Sequence, residues 1–324
     1  MVLNPLIPRH PKSNLSPNSL AAIPVATHSF WQWRSQAIAD LSQHCQTRSY
    51  FAELRKELDW LLLEVSNLSA LDLRLERVTP ESVHLQLPFE ELKWLWQRRL
   101  QQRVPVQHLT GTVHWRQFHL QISQAVLIPR PETELLIDLA LATEPPLSLS
   151  GTTDLWADLG TGSGVIALGL ATAFPEAAIH AIDCSATALA IAEVNRLTYH
   201  LQDRIHFHLG HWFEPLRGLE GQFRGIVSNP PYIPTDILPS LEPEVFEHEP
   251  HLALDGGTDG LDTIREIIAI SPIYLHSGGV LLLEMMRGQD HQVTTLLQSQ
   301  GHYSQIQIHP DLAGINRFAI AYRI

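Results

Sequence analysis

The sequence predicts an α/β protein whose larger part is a doubly wound, mostly parallel seven-stranded sheet. Apolar runs and amphipathic runs alternate from residue 155 to the C-terminus, as expected when helices join parallel strands. A glycine-rich stretch follows the first of these strands, at the place where such sheets bind ligands. The region up to residue 103 has a helical period instead. A small helical bundle and a β-hairpin linker are therefore expected before the sheet.

The chain divides into four segments by composition and period. Residues 1–27 contain five prolines and no periodic apolar face, which is typical of a disordered tail. A helical partner-recognition domain is expected at 28–105 and a β-hairpin linker at 106–131. The sheet domain at 132–324 is then expected to carry the chemistry.

The helical segment has the spacing of packed amphipathic helices. Leu54, Leu58 and Leu61 recur at three- and four-residue intervals, and the run 89–100 repeats the pattern. Pro88 stands just before that run, where its fixed φ suits the start of a helix. Four or five short helices are expected. The tryptophans of this region are expected in its core: Trp31, Trp33, Trp60, Trp94 and Trp96.

The linker is expected to be a hairpin with strands at 114–120 and 125–128, where the period changes to two. Pro129 and Pro131 end the second strand. A helix then starts at Glu132 and runs to Thr143, and its acidic first turn suits the helix dipole. Residues 144–153 are expected to form a loop.

The sheet domain alternates strands with helices. Strands are expected at 155–159, 178–182, 205–209, 225–228, 279–284, 304–309 and 318–322, and helices at 165–174, 186–197, 261–274 and 290–300. The loop between the last two strands is too short for a crossover helix. Those strands should therefore be antiparallel to each other.

Composition limits the cellular setting and the partners. The 324 residues carry a net charge of -12, which argues against an electrostatic clamp on nucleic acid. The two cysteines, Cys45 and Cys184, are too few for a disulfide framework and favour a reducing, cytoplasmic setting. No apolar run reaches the length of a membrane span, and no signal-peptide pattern opens the sequence.

A glycine loop follows the first strand of the sheet. Asp158 stands two residues ahead of the loop, which consists of Gly160, Thr161, Gly162, Ser163 and Gly164. Val165 takes the place of the last glycine of a dinucleotide fingerprint, and no P-loop pattern is present. Asp183 closes the second strand, where a carboxylate can accept from both hydroxyls of a ribose. These features indicate a cofactor that contains a nucleoside.

A second motif, Asn229-Pro230-Pro231-Tyr232, follows the fourth strand. The Asn229 carboxamide can accept and donate hydrogen bonds in one plane. Pro230 and Pro231 stiffen the loop and leave carbonyl acceptors. The ring of Tyr232 offers a flat face for stacking. This combination suits a planar group that carries an NH2.

The two motifs meet, because ligands of parallel sheets bind beyond the carboxyl ends of the strands. Methyl transfer from S-adenosylmethionine to a planar nitrogen is the chemistry that uses both motifs. An amide nitrogen is a poor nucleophile, so its alignment with the methyl donor is the main way in which the protein can accelerate the transfer. Such alignment can lower the activation barrier by up to roughly 7–11 kcal/mol.

Five blocks then carry a family resemblance: 105–111 (PVQHLTG), 127–134 (LIPRPETE), 158–168 (DLGTGSGVIAL), 228–233 (SNPPYI) and 253–261 (ALDGGTDGL). With these blocks the chain resembles the release factor glutamine N5-methyltransferases from about Ser29 to the C-terminus. The resemblance implies a Rossmann-like, class I S-adenosylmethionine-dependent fold. It also implies methylation of the glutamine in the Gly-Gly-Gln motif of class I peptide-chain release factors.

The resemblance implies a role for each matching residue. The loop from Gly160 to Gly164 would wrap the methionine part of the cofactor, with Asp158 near its ammonium group. Asp183 would hold the ribose, Trp212 would lie near the adenine, and Asn229 would contact the cofactor as well as the substrate. Asn229 and the Pro230 carbonyl would grip the substrate amide, Tyr232 and Pro231 would complete that slot, and residues 130–134 would brace it.

Two other functions are compatible with parts of this pattern. An exocyclic-amine methyltransferase acting on nucleic acid shares the Asn229 motif, although the acidic balance argues against it. A non-catalytic cofactor-binding scaffold would not need Asn229. A metal site is not expected, because His206 and His208 share a strand face without an acid or cysteine at ligand spacing. The protein is expected to act as a monomer on a protein partner, without direct contact to nucleic acid or membrane.

Overall fold

The computed structural model describes residues 22–44, 47–76, 82–143 and 154–324. The first 21 residues of the expected tail and the expected loop at 144–153 lie outside them. The chain forms two compact units, one ending at Gly111 and the other beginning at Thr112. Each unit is a separate body with its own hydrophobic core.

The described part of the first unit contains five helices and two short strands. They are β1 (Ile23–Val25), α1 (Thr27–His44), α2 (Arg48–Val65), α3 (Ala70–Leu75), β2 (Val83–Leu85), α4 (Phe89–Gln102) and α5 (Val106–Thr110). Thr47 caps α2 through its hydroxyl, and Ser69 forms a capping box with Asp72 at α3. Pro88 directly precedes α4, as its position in the sequence predicts.

The helices of the first unit pack around leucines at the predicted spacing. Leu54, Leu58 and Leu61 are buried in one core with residues of α1 and α4. Trp31 and Trp96 are buried in this core, and Trp33 and Trp60 pack against it. Trp94 differs from the prediction, because 49% of its surface is exposed. Its ring instead carries the Arg98 guanidinium 4.9 Å from its centre.

Two boundaries in this unit differ from the sequence-based division. Residues 23–25 lie inside the expected tail, yet they form β1, which pairs antiparallel with β2. Residues 106–110 lie inside the expected linker, yet they form helix α5, which ends at Gly111 with φ +73°. A glycine in the left-handed region is a common helix stop. The helical unit therefore extends to Gly111.

The second unit contains nine strands and six α-helices within its described residues. They are β3 (Thr112–Trp115), β4 (Phe118–Gln121), α6 (Leu135–Ala142), β5 (Leu155–Leu159), α7 (Val165–Ala173), β6 (Ala178–Asp183), α8 (Ala186–Thr198), β7 (Ile205–Leu209), β8 (Phe223–Ser228), α9 (Pro243–Phe246), α10 (Asp262–Tyr274), β9 (Leu275–Glu284), α11 (Asp290–Gln300), β10 (Tyr303–Pro310) and β11 (Asn316–Arg323).

The seven-stranded sheet has the order β10-β11-β9-β8-β5-β6-β7. The strands from β9 to β7 run parallel to one another, whereas β11 is antiparallel to both β9 and β10. The predicted doubly wound, mostly parallel seven-stranded sheet is therefore confirmed, including the antiparallel pair at its end. The strand order reverses at β5, so a crevice is expected where β5 and β8 end.

Alternate residues of the central strand face two separate cores. Trp156 lies in one core, whereas Ala157 and Leu159 lie in the other. The Trp156 ring also fills the space beside Gly225 on β8. A Cβ atom at Gly225 would lie 2.2 Å from Trp156 Cζ3, so the close packing of these two strands requires glycine there.

The hairpin differs from the predicted one. The single run expected as its first strand, 114–120, overlaps both β3 and β4, and residues 125–128 are not a strand. Arg116 stands at the turn with φ +49°, and its backbone N–H donates to Glu134 Oε1 at 2.9 Å. The Arg116 guanidinium also donates to the carbonyl of Glu134. These contacts stabilise a turn with a positive φ, which an arginine at position 116 does not predict.

A buried asparagine connects the hairpin to the glycine loop. Asn195 Oδ1 accepts from the Gln121 N–H at 2.7 Å, and its Nδ2 donates to the Gln121 carbonyl at 2.9 Å. The same Nδ2 donates to the Ser163 carbonyl at 2.9 Å. One side chain on α8 therefore fixes the end of β4 against the loop that precedes α7.

Among the helices in the described ranges, none combines the length and the apolar character needed to cross a membrane.

Candidate active site

A cavity of about 240 Å³ opens at the carboxyl ends of β5, β6 and β8. These are the three strands whose ends the sequence predicts to share one crevice. The cavity is lined by residues from each predicted motif, among them Arg130, Thr133, Gly160, Thr161, Gly162, Ser163, Asp183, Trp212, Asn229 and Pro231. Asp158, Gly164, Pro230 and Tyr232 lie outside this lining.

The glycine loop depends on the backbone freedom of its three glycines. Gly160, Gly162 and Gly164 have φ of +73°, +54° and +83°, which side chains rarely allow. A Cβ at Gly160 would lie 3.3 Å from Trp212 Cζ3. The Ile182 carbonyl accepts from the N–H groups of both Gly160 and Thr161, which fixes the loop to the end of β6. The loop therefore brings its backbone close to the cavity, where it forms one wall.

Asp158 is fully buried behind this loop. Its Oδ2 accepts from the Thr161 hydroxyl at 2.6 Å and from the Ala167 N–H at 3.0 Å. Its Oδ1 is buried and has no hydrogen-bond partner among the described residues. Burial raises the pKa of Asp158 to about 7, against the lowering effect of the two hydrogen bonds. This free acceptor fits a cationic group that binds beside the loop.

Asp183 lies at the end of β6 and lines the cavity. Its Oδ2 accepts from the Gly162 N–H at 2.8 Å, and its Oδ1 accepts from the Ser185 N–H at 2.9 Å. Burial raises the pKa of Asp183, while these backbone bonds act in the opposite direction. Each oxygen keeps a second lone pair for a ligand hydroxyl.

Asn229 and Pro231 contribute another wall of the cavity, at the end of β8. Ser228, just before them, donates its hydroxyl to the Leu159 carbonyl at 2.7 Å and so ties β8 to β5. The Tyr232 ring is partly buried and packs against the core on one side of the sheet, and its hydroxyl is 3.3 Å from Glu284 Oε1.

Three polar residues support this wall: Thr133, from the segment expected to brace the site, and Glu284 and Gln289, which the sequence did not single out as site residues. Thr133 lines the cavity and donates to Glu284 Oε2 at 2.8 Å, while Asn229 Nδ2 donates to Thr133 Oγ1 at 3.2 Å. Gln289 donates to the Tyr232 carbonyl at 3.1 Å and to the Gly260 carbonyl at 3.2 Å. Thr133 stands in the quoted 127–134 block, but no local pattern links it to Glu284.

Arg130 closes the hairpin side of the cavity. Its Nη2 donates to Glu249 Oε1 at 2.6 Å, and its carbonyl accepts from Trp115 Nε1 at 3.0 Å. Burial raises the pKa of Glu249, and the Arg130 charge opposes that effect. The expected bracing by residues 130–134 thus has contacts at Arg130, Thr133 and Glu134.

Stability of the empty protein is expected to fall as pH rises from about 4 to about 7. Burial raises the pKa of Asp158 and of Glu284 to about 7, whereas unfolded carboxyls titrate near 4. The folded state therefore holds extra protons in this window, and the loss of stability is complete above pH 7. It amounts to roughly 1–4 kcal/mol for each group.

Thermal unfolding of the parent and of Asp158→Asn at pH 5.5 and pH 8 checks this expectation. The variant should lose less stability between the two conditions. His180 and His208 act in the opposite direction, because burial lowers their pKa. The difference between parent and variant is therefore the informative quantity, and equal pH profiles for the two proteins would contradict the assignment.

Comparison with known proteins agrees with this arrangement. Residues 137–238 match the family described as "Methyltransferase small domain". A release factor glutamine methyltransferase of Synechocystis sp. is 51% identical over 265 residues, which covers 82% of this chain and 89% of that protein. The release factor glutamine methyltransferases of Thermosynechococcus vestitus and Gloeobacter violaceus are 49% and 42% identical. The Thermosynechococcus match covers 82% of this chain and 90% of that protein. The Gloeobacter match covers 90% of this chain and 96% of that protein.

A solved structure shares the fold. The hMettl16 catalytic domain in complex with MAT2A 3′UTR hairpin 6 has a TM-score of 0.51 and 13% identity. The match covers 86% of this chain and 92% of that chain. This likeness supports the Rossmann-like methyltransferase fold.

Proposed function

The chain belongs to the release factor glutamine methyltransferase family, and we propose that it methylates the side-chain amide nitrogen (N5) of the Gly-Gly-Gln glutamine in class I peptide-chain release factors. S-adenosylmethionine is the methyl donor. The observation that carries this proposal is the shared cavity, which is lined by the glycine loop, Asp183 and Asn229.

The residues present fit this cofactor. The positive-φ glycines let the backbone approach its methionine part, and the unpaired Asp158 Oδ1 suits its ammonium group. Asp183 would accept from the ribose hydroxyls, and Trp212 would lie along the adenine. When bound, the cofactor supplies an electrophilic methyl group on a sulfonium.

The chain's own contribution is to hold the substrate amide. Asn229 Oδ1 and the Pro230 carbonyl would accept from its NH2 group, and Pro231 lines the same wall. An aligned nitrogen meets the methyl group without the entropy cost of a free encounter. Tyr232 would support this wall through its hydroxyl contact to Glu284.

Asp183→Ala should weaken S-adenosylmethionine binding by on the order of 1–3 kcal/mol, because hydrogen bonds to a charged group are lost. Calorimetry on the folded variant measures this loss. Replacement of the exposed Asp203 by alanine serves as a control that removes the same charge outside the cavity. Unchanged affinity in Asp183→Ala would remove this residue from the proposed ribose site.

Mass analysis tests the reaction itself. Release factor incubated with the protein and isotope-labelled S-adenosylmethionine should gain one methyl group, located on the target glutamine. A label that appears only in nucleic acid would favour an amine methyltransferase acting on bases. Binding of cofactor without transfer to either substrate would favour a scaffold.

The setting follows from this reaction. The protein would act as a monomer in the cytoplasm, where translation terminates, and would contact the release factor without binding nucleic acid directly. Light scattering tests whether the protein is a monomer.

The helical unit that ends at Gly111 is the proposed recognition module for the release factor. A variant that begins at Gly111 should keep cofactor binding and lose affinity for the whole release factor.

A further inference from the structure

A chain of hydrogen bonds runs from the cavity wall into the core. Asn229 Nδ2 is 3.2 Å from Thr133 Oγ1, and that hydroxyl is 2.8 Å from Glu284 Oε2. The Tyr232 hydroxyl is 3.3 Å from Glu284 Oε1. Thr133 is 2% exposed and Glu284 is 1% exposed, so water does not compete for these bonds.

The number of hydrogens on each group determines which group donates in each of these hydrogen bonds. An ionised Glu284 can only accept, and a threonine hydroxyl has a single hydrogen to donate. Thr133 therefore gives that hydrogen to Glu284 and accepts from Asn229. One hydrogen of the Asn229 NH2 group is thereby committed to Thr133, which fixes which end of the carboxamide lies toward Thr133. The lone pairs of Oδ1 remain for a donor on a ligand.

We propose that Thr133 and Glu284 are positioning residues that hold the Asn229 carboxamide with Oδ1 available to the cavity, so that the site accepts an NH2 group. This inference rests on the proposed function and deepens it. A substrate side chain that offers only oxygen acceptors would meet Oδ1 without a hydrogen between them. The relay thus gives the site its preference for glutamine over glutamate.

Glu284 must be ionised for the relay to run in this direction. Burial raises its pKa to about 7, while Thr133, Tyr232 and the Arg317 charge lower it and Glu132 raises it further. At pH 8 the carboxylate form prevails. In Glu284→Gln the new amide can donate to Thr133, which frees the threonine hydrogen for Asn229 Oδ1 and turns the carboxamide around.

A purely structural role is the alternative reading. Thr133 could serve only to satisfy the buried Glu284, and its loss would then lower stability whatever stands at position 229. The two roles differ in their coupling to Asn229. A positioning role requires a carboxamide to position, whereas a structural role does not.

The test at pH 8 measures the rate of methyl transfer to a release factor with the target glutamine, and the Kd of that factor and of one with glutamate in its place. Thr133→Val should lower kcat on the glutamine factor about 10–50-fold and leave the Kd for S-adenosylmethionine unchanged. The ratio of the Kd of the glutamate factor to that of the glutamine factor should fall about tenfold. Thr133→Ser should restore most of both. Thr172→Val removes a hydroxyl that bonds within α7 and serves as the matched control.

A double-mutant cycle then separates the two roles. In an Asn229→Ala background, Thr133→Val should change kcat by less than about twofold. A full 10–50-fold loss in that background, or an unchanged glutamine preference in Thr133→Val, would overturn the proposal and leave Thr133 as a structural residue.

One readout does not need turnover. The side-chain NH2 protons of Asn229, observed by NMR with labelled asparagine, should shift in Thr133→Val and in Glu284→Gln but not in Thr172→Val. If the parent methylates nothing, this shift still decides whether the relay holds the carboxamide. Failure of the proposed function and failure of the relay are therefore separate outcomes.

Discussion

Replacement of Asn229 by alanine is expected to lower the rate of methyl transfer by about 10²–10³-fold, the scale of one preorganised polar contact at a reacting centre. Affinity for S-adenosylmethionine should stay nearly constant, because the glycine loop and Asp183 provide most of the cofactor wall. Single-turnover kinetics and calorimetry measure the two quantities separately.

Asn229→Asp is the sharper variant, because it keeps the size and an acceptor but adds a charge. It also leaves Thr133 without a donor to accept from. Asn316→Ala, which removes an exposed carboxamide bound to Asp290, controls for general effects. If Asn229→Ala retained most of its rate, the amide clamp would be wrong. Full activity in Asn229→Asp would show that a neutral carboxamide is not needed.

Asp158→Asn is expected to weaken S-adenosylmethionine binding by roughly 10²–10³-fold, the scale of breaking a buried charge pair. The Asp158 Oδ2 position must remain an acceptor for Thr161 and Ala167. The new NH2 would therefore replace Oδ1 and face the cofactor ammonium, donor against donor. Above pH 7 the empty variant should nevertheless be more stable than the parent, because the substitution removes a buried negative charge, although an unpaired polar group stays at the Oδ1 position.

The pH dependence of binding gives a second check on Asp158. Its pKa near 7 in the empty protein means that affinity should rise with pH between about 6 and 8, as the carboxylate forms. The asparagine variant should lose that part of the dependence. Asp154→Asn, at the other end of β5 and paired with Arg224, is the matched control. Equal affinity of parent and Asp158→Asn would contradict the ammonium role.

The sheet was predictable because its signals are local. The strand at 155–159 is an apolar run closed by Asp158 and a glycine loop, and the structure has it with the same bounds. The helix at 290–300 is followed by Gly301 in the left-handed region, and a glycine at this position is a helix stop signal that can be recognised in the sequence. Burial on both faces keeps such strands continuously apolar and easy to recognise.

The errors have a different origin. β1 and β2 are three residues each, too short for a period, and they pair across 60 residues of chain. The hairpin turn falls on Arg116, whose positive φ is held by contacts with Glu134, 18 residues away. No property of an arginine predicts that conformation.

Some residues of the site can be found from the sequence and others cannot. Gly160, Asp183 and Asn229 can be recognised because each belongs to a local motif at the end of a strand. The bond between Thr133 and Glu284 joins residues 151 positions apart. Each alone resembles an ordinary helix start or strand end. Their partnership exists only after the sheet has folded.

The three hydrogen bonds of Asn195 have a consequence for local motion. An amide proton at Gln121 can exchange with solvent only when its bond to Asn195 Oδ1 opens. The same side chain donates to the Ser163 carbonyl, so its displacement would remove one hydrogen bond of the glycine loop, while the bonds to the Ile182 carbonyl stay. A ligand that stabilises the loop is therefore expected to slow hydrogen exchange at Gln121, although Gln121 does not line the cavity.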